Sequence, residues 1–554
     1  MIPSRLATSS ESVLRADICI VGSGPSGQAV ARTLAGTADV LVVEAGHIEP
    51  SDDVRWGRRY ASAAMPSVGR QYPNAGHHVS IRPGGTSDRW SVRIDPETTS
   101  GSAVRIHRLD AVDFVERPTP GAEGWPITVD ALEPFYHRAE SMFGLGPNQT
   151  CDTTVLDSSP HLESKVFWAV DRACFSLPDL GPSRVVTGCV VTKLVAGPDG
   201  RITTAHAITR RREAVRIEAD VFVLAMGAVQ TTRLLLDSPW SEAESIANSS
   251  GRLGWYLTDH PQLILGQLVL RKGADLDALA HLCPSTEDGG TGTVLRWPNL
   301  GTSATRSQSP DVARIAATIL PVPRFPRTQR LRNHYRRPQG TRTGALKIAS
   351  EVADSVRQGR ADWSTLKRAP LMLGGIDEIL RARFAARVQR PTWVVESPHW
   401  SQLVGSDQLA GFQIFAIAEQ LPHPENRIVL SPETNGHGGC RARIEWRWTN
   451  DDQRRVESTA DDVRSYLDRL GVGSVIPRVG KASIMKITSH HASGTARMSD
   501  RPELGVVDTE LRTHDHPNLY IVGSAVFDTA GYANPTLTDV ALGIRLGDHL
   551  RGLC

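Results

Sequence analysis

Residues 17–46 read "DICIVGSGPSGQAVARTLAGTADVLVVEAG", and no other stretch limits the fold as strongly. "ICIV" is a short, largely β-branched run suited to a strand buried on both faces. It ends in Gly22-Ser-Gly24-Pro-Ser-Gly27, and the helix-compatible "QAVARTLAG" follows. A second buried run, "VLVVE", closes a βαβ unit of about 30 residues. Gly22 allows the tight turn, Gly24 lets a pyrophosphate approach the backbone, and Gly27 lets helix and strand pack closely. A phosphate at that helix start meets free N–H groups and the positive end of the helix dipole. Glu44 lies 20 residues past Gly24. There a carboxylate binds ribose hydroxyls and disfavours a 2′-phosphate. The unit implies a bound dinucleotide and by itself leaves NAD and FAD both open.

At 554 residues the chain is too long for one compact core, so two domains or an interleaved pair are expected. A net charge of +2 demands no polyanionic partner, and no nucleic acid is expected. No run of 18 apolar residues occurs, so no transmembrane helix is expected. The start, "MIPSRLATSSESVLRAD", lacks the basic-then-apolar pattern of a secretory signal, and residues 1–14 read as a disordered lead-in. Seven dispersed cysteines without a CxxC point to a reducing compartment and against a metal site. Cytoplasmic localisation is the expectation.

Three further segments choose between the dinucleotides. They are "RPGGTSDRWSVRIDP" (82–96), "ADVFVLAMGAVQTTRLLLDS" (219–238) and "NLYIVGSAVFDTAGYANPTLTDVALGIRLGDHL" (518–550). With the βαβ unit they resemble the glucose–methanol–choline oxidoreductases, FAD-dependent alcohol oxidases and dehydrogenases. "GWPITVDALEPFYHRAESMFGLG" (124–146) and "EQLPHPENRIVLS" (419–431) extend the likeness. The pairing of "GTARM" with "GYANPTLT" is similar to the pyranose-oxidase-like bacterial members.

The resemblance implies an α/β fold. Its Rossmann-like FAD-binding domain has a parallel sheet discontinuous in sequence, here 15–110, 180–265 and 478–554. An α+β substrate-binding domain built on an antiparallel sheet takes 111–179 and 266–477. The resemblance also assigns Gly22, Gly24, Gly27 and Glu44 to the ADP moiety, and Gly84, Gly85, Thr86 and Ser87 to a loop along the flavin. Val191 is the residue whose backbone meets the adenine. Gly227, Gly523, Ser524, Phe527, Pro535 and Thr536 complete the cofactor contacts. "GGTSDRW" holds no histidine of the kind that attaches FAD in some pyranose oxidases, so non-covalent FAD is expected.

"HHASGTARM" (490–498) carries the chemistry. Oxidising an alcohol removes the O–H proton while a hydride leaves carbon for the flavin, and a neutral imidazole suits the proton step. A second polar group must hold the hydroxyl so that the C–H bond is aimed. In the family the base lies six residues before the position of Arg497, which selects His491, and the partner maps onto Asn534. Adjacent residues of an extended segment face opposite ways, so His490 is read as a supporting or packing histidine. Pro535 suits the first turn of the following helix.

The middle of the chain holds no usable motif. "EQLPHPENRIVLS" and "ARIEWRWT" read as strands joined by a turn, and "DDVRSYLDRLGV" as a helix ending at a glycine. Residues 311–390 carry 17 Lys and Arg against 6 Asp and Glu. A solvated helical face accounts for that balance, with membrane or partner docking through 311–390, or an acidic substrate, as alternatives. The leading function is oxidation of a CH–OH group of a sugar, glycoside or polyol, with O2 or another acceptor taking the electrons. The alternatives are an FAD-containing lyase of the same fold, the catalytic subunit of a cytochrome-linked dehydrogenase, and a secondary-metabolite tailoring alcohol oxidase.

Overall fold

A computed structural model describes residues 12–46, 67–69, 81–89, 103–117, 121, 123–151, 153–156, 159–171, 180–241, 244–289, 292–323, 409–435, 439–478, 484–488 and 490–553. The basic stretch predicted over 311–390 therefore lies outside the described residues from 324 onward, as do residues 90–96. Among the described residues the helices of eight or more residues are α1 (Pro25–Thr33), α2 (Val129–Met142), α3 (Gly227–Leu236), α4 (Asn450–Arg469) and α5 (Thr536–Arg551).

The predicted βαβ unit is present. Strand β1 (Ser12–Val21) lies between β2 (Val40–Glu44) and the strand Ala214–Leu224, all parallel. Leu519–Ile521 extends the parallel set along the far end of Ala214–Leu224, from the other end of the chain. The hairpin of Cys189–Ala196 and Ile202–Thr209 pairs antiparallel with the near end. Every residue of β2 is buried, as are the last four of β1, which explains their continuous apolar runs. Ser12, Val13 and Leu14 already pair with Val215, Arg216 and Ile217, so the strand begins inside the predicted lead-in.

The second sheet is antiparallel. It holds β3 (Ala103–Ile106), β4 (Leu162–Asp171), β5 (Pro261–Leu270), β6 (Gly292–Thr302), β7 (Ile315–Pro323) and β8 (Leu409–Ala418), in the order β5-β8-β7-β6-β4-β3. Alternation sorts its side chains onto two faces. Leu263, Ile315, Ile319, Phe412 and Ile414 pack with Val456, Ala460, Val463 and Leu467 of α4. Phe167, Ile264, Trp297 and Phe415 point the other way and cluster with Tyr532. That second face roofs the site.

Three boundaries differ from the expectation. β3, expected in the FAD domain, is an edge strand of the second sheet, and so is Ile484–Thr488, which pairs with β5. Residues 114–145, expected in the substrate domain, bury Phe114, Trp125, Leu132 and Tyr136 in the core of the first sheet. The reason is α5, against which α2 packs: the Tyr136 hydroxyl meets Thr538 Oγ1 at 2.9 Å. α4 also starts earlier than "DDVRSYLDRLGV", because Thr449 caps it in a capping box with Asp452.

Candidate active site

The glycine loop shows which glycines the protein itself needs. A Cβ on Gly27 would lie 2.2 Å from the Gly22 carbonyl oxygen, so bare helix–strand contact demands glycine there. A Cβ on Gly24 would find nothing nearer than 3.9 Å, so the polypeptide leaves that approach open. Gly85 folds against it, its own Cβ position lying 3.5 Å from the Gly24 Cα. Ser23 Oγ accepts from the Gly84 N–H at 3.2 Å and donates to Glu44 Oε2 at 2.6 Å, tying the two loops together. Glu44 also accepts from the backbone N–H of Ser23 and of Gly46.

The other predicted cofactor residues converge on this cleft in part. Gly523 opens a short turn beside α1, and a Cβ on it would lie 3.0 Å from Ser26 Oγ and 3.9 Å from Asp539 Oδ1. Ser524 Oγ donates to the Ala492 carbonyl, so its hydroxyl is already engaged. Phe527 packs its ring on Trp125 at 5.0 Å and offers a ligand only its backbone. Val191 sits at a bulge of the 189–196 strand, and Gly227 heads α3 with a positive φ of 70°. Pro535 is the N-cap of α5 and Thr536 its first residue, so Asn534 lies one residue outside the helix. Among the described residues, Asn534 Oδ1 and Ser87 Oγ are buried polar atoms without hydrogen bonds. Open space over Gly24 and these two orphaned atoms fit FAD: a diphosphate on the loop and a ring along 84–87.

His491 is placed by two backbone contacts. Gly494, Ala496 and Met498 donate to the carbonyls of Ser524, Ala525 and Val526, which fixes the segment beside the Gly523 turn. On its other side Thr258 and Ser493 exchange both backbone hydrogen bonds. Extending that antiparallel register by two residues sets His260 opposite His491. Their Nδ1 atoms are 2.8 Å apart, and their rings meet edge-on with centroids 5.0 Å apart. Asp259 Oδ1 accepts from the backbone N–H of both residues, at 2.6 and 3.0 Å, clamping the pair. His490 has φ 63°, a left-handed turn rather than the expected extended backbone. That turn parts the two rings of the His-His dipeptide.

The electrostatics keep both rings neutral. Withdrawal from water pushes the His491 pKa well below its ordinary value, and His260 lowers it further while Asp259 opposes. Burial likewise lowers His260, against the charges of Asp259 and Glu419 and the carbonyls of Ala530 and Gly531. Two neutral imidazoles share one N–H···N bond. His260 Nε2 has no partner at hydrogen-bonding distance, yet those carbonyls favour a proton on the ring, and Nδ1 is turned to His491. In the tautomer that places the His260 proton on Nε2, on the side of those carbonyls, His491 donates from Nδ1 and its Nε2 is left unprotonated.

Behind His260 lies an ion network that the sequence did not reveal. Arg117 donates to Glu419 at 2.7 Å and to Asp113 at 3.1 Å. Arg314 pairs with both Asp110 and Asp113, and the Tyr532 hydroxyl donates to Asp110 at 2.7 Å. Asp113, Arg314 and Glu419 are buried, Asp110 and Arg117 partly so, and each cation has its carboxylate. His260 itself was missed as well; "LTDHP" (257–261) contains it, but only the pairing with 491–493 gives it a role. No hydrogen bond joins Asn534 to His491 among the described residues. The link runs through the loop 530–534, whose first carbonyls face His260.

A family model described as GMC oxidoreductase matches residues 422–543. The 2-methyl-1,2-propanediol dehydrogenase of Mycolicibacterium austroafricanum is 22% identical, over 96% of this chain and 95% of its own. The fructose dehydrogenase large subunit of Gluconobacter japonicus is 22% identical over 98% of each. The paromamine 6'-oxidase of Streptomyces fradiae is 29% identical over 26% of each.

Proposed function

Because the chain belongs to the GMC oxidoreductases, whose cofactor is FAD, we propose that it oxidises a CH–OH group of a sugar, glycoside or polyol to a carbonyl. The observation that carries this is the His260–His491 contact, which engages Nδ1 of His491 and leaves its Nε2 outside the pair. In the proposed step His491 Nε2 accepts the hydroxyl proton. Asn534, with a buried and unengaged Oδ1, holds the same hydroxyl so that its carbon presents the C–H bond. FAD, when bound, supplies the acceptor for the hydride. Gly22, Gly24, Gly27, Glu44 and the loop 84–87 hold it, non-covalently in our reading.

The test is anaerobic mixing of the purified yellow protein with sugars, glycosides and polyols, pyranoses first. An oxidoreductase bleaches the flavin, whereas a lyase of the same fold leaves it yellow. Air admitted afterwards separates an oxidase, which recolours, from a dehydrogenase that needs another acceptor. His491→Ala should keep fold and FAD and reduce flavin about 100-fold to 10,000-fold more slowly, the scale of a lost general base. His490→Ala should be milder. Equal bleaching by wild type and His491→Ala would overturn the assignment. Acid precipitation should send all yellow colour to the supernatant, and colour left in the pellet would refute the non-covalent reading.

A further inference from the structure

The roof of the site contains a cation that differs from its neighbours. Arg117, Arg314 and Lys165 each face a carboxylate, the last at 3.0 Å from Glu163 and 3.4 Å from Asp110. Arg105, on β3, has no carboxylate partner and no side-chain hydrogen bond among the described residues. Its guanidinium lies over the Trp297 ring, 5.3 Å from the centroid. Alternation along β3 puts Arg105 on the face of Ala103, which clusters with Phe167, Trp297 and Tyr532. The Trp297 indole is buried and donates from Nε1 to Thr318 Oγ1 at 3.1 Å, so the platform under the guanidinium is fixed. Arg105 itself is half-buried, on the sheet face that packs on Tyr532, two residues before Asn534.

We propose that Arg105, held on Trp297, is a carboxylate-binding subsite above His491, and that the alcohol substrate carries a carboxylate, as a uronic or other hydroxy acid does. A guanidinium lying on a ring keeps its in-plane N–H fork free, and that fork matches the two oxygens of a carboxylate. Burial without a counter-charge pushes the Arg105 pKa down to about 10, a desolvation cost that an anionic ligand relieves. Neutral hydroxyls do so less well, since charge-assisted hydrogen bonds are about twice as strong. This subsite rests on the proposed function, because it selects among the alcohols that His491 would oxidise.

The experiment titrates the yellow holoenzyme with matched probes and follows the oxidised-flavin spectrum, which needs no turnover. The pairs are methyl glucuronoside with methyl glucoside, gluconate with glucitol, and glycolate with ethylene glycol. Inorganic phosphate is a separate arm. At least one carboxylate should bind roughly tenfold or more tightly than its neutral match. Arg105→Met should bring the pair to parity, and Arg105→Lys should keep part of the preference. The proposal is overturned if no carboxylate outbinds its neutral match, if the preference survives Arg105→Met, or if phosphate alone binds. Should Arg105→Met fail to fold, Arg105→Lys decides, since an unchanged preference there contradicts the fork. Flavin bleaching by uncharged alcohols with no carboxylate preference would keep the proposed function and remove this subsite alone.

Discussion

His260 and His491 stand opposite each other two residues beyond the antiparallel Thr258–Ser493 bridge, Nδ1 to Nδ1 at 2.8 Å, with Asp259 accepting from the backbone of both. In the proposed reaction the pair divides the labour of a proton acceptor. One ring holds the proton that keeps the other ring's far nitrogen bare, a role usually filled by a carboxylate or carbonyl behind a working histidine.

His260→Phe keeps a ring in place and removes that nitrogen. The flavin-reduction rate should fall about 10-fold to 100-fold, the usual cost of losing such a supporting partner. The pH profile gives the sharper readout. The His491 pKa is depressed, so in the wild type the base is neutral well below pH 6.5. Removing His260 takes away the acceptor of the His491 Nδ1–H, and the acid limb of the rate profile moves. Anaerobic stopped-flow reduction between pH 5 and 9 checks it, and an unmoved acid limb would rule the positioning role out.

Asn534→Asp tests the second polar group. Its Oδ1 makes no hydrogen bond and the residue lies outside α5, so helix capping does not explain it. A carboxylate there opposes the gain of negative charge by the cofactor, and it favours imidazolium at His491. The variant should keep FAD, reduce slowly and need higher pH for its maximum, while Asn534→His should be better tolerated. A profile for Asn534→Asp that overlays wild type would leave Asn534 without a part in the reaction.

Gly24→Ala and Gly27→Ala should fail differently. The first has room in the protein and should fold with near wild-type thermal stability while losing FAD. The second sets a methyl 2.2 Å from the Gly22 carbonyl oxygen and should cost about 1–3 kcal/mol or more of stability by overpacking. Melting temperature and flavin content, measured together, separate the two. Gly24→Ala protein purified fully yellow would argue against a diphosphate on this loop.

Asp539 lies in the first turn of α5 beside Gly523 and Ser26, and burial pushes its carboxyl up to about 8. Below that pH it is neutral and tolerates an adjacent diphosphate; above it, the carboxylate repels one. FAD affinity of reconstituted protein should therefore weaken as pH rises through about 8. Asp539→Asn should abolish that dependence. Flavin-fluorescence titrations at pH 6.5 and 9 decide the matter, and a pH-dependent affinity in the variant equal to wild type would exclude Asp539 as its cause.

Legibility followed the range of the interactions. The β1–α1–β2 unit was readable because apolar runs and glycine spacing act within 30 residues or so. The capping box at Thr449 and Asp452 was equally local but went unread, since the first turns of α4 are almost wholly polar and hide its apolar stripe. The domain limits near 103–145 went astray for another reason. Apolar side chains state that a segment is buried, not against which sheet, and only contact with α5 draws Tyr136 toward the first core.

By itself the sequence determined the dinucleotide-binding unit and, through resemblance, the identity of the cofactor; it singled out His491 rather than His490 only as the proposed base. Tertiary structure alone decided that His260 backs His491, that an ion network lies behind them, and that Arg105 sits on Trp297 with no carboxylate partner among the described residues. Each of those relations joins residues far apart in the chain, His260 and His491 by 231 positions. A strand's own residues fix its alternation but not its partner or register. That register is set when two sheets and α5 close around one cleft.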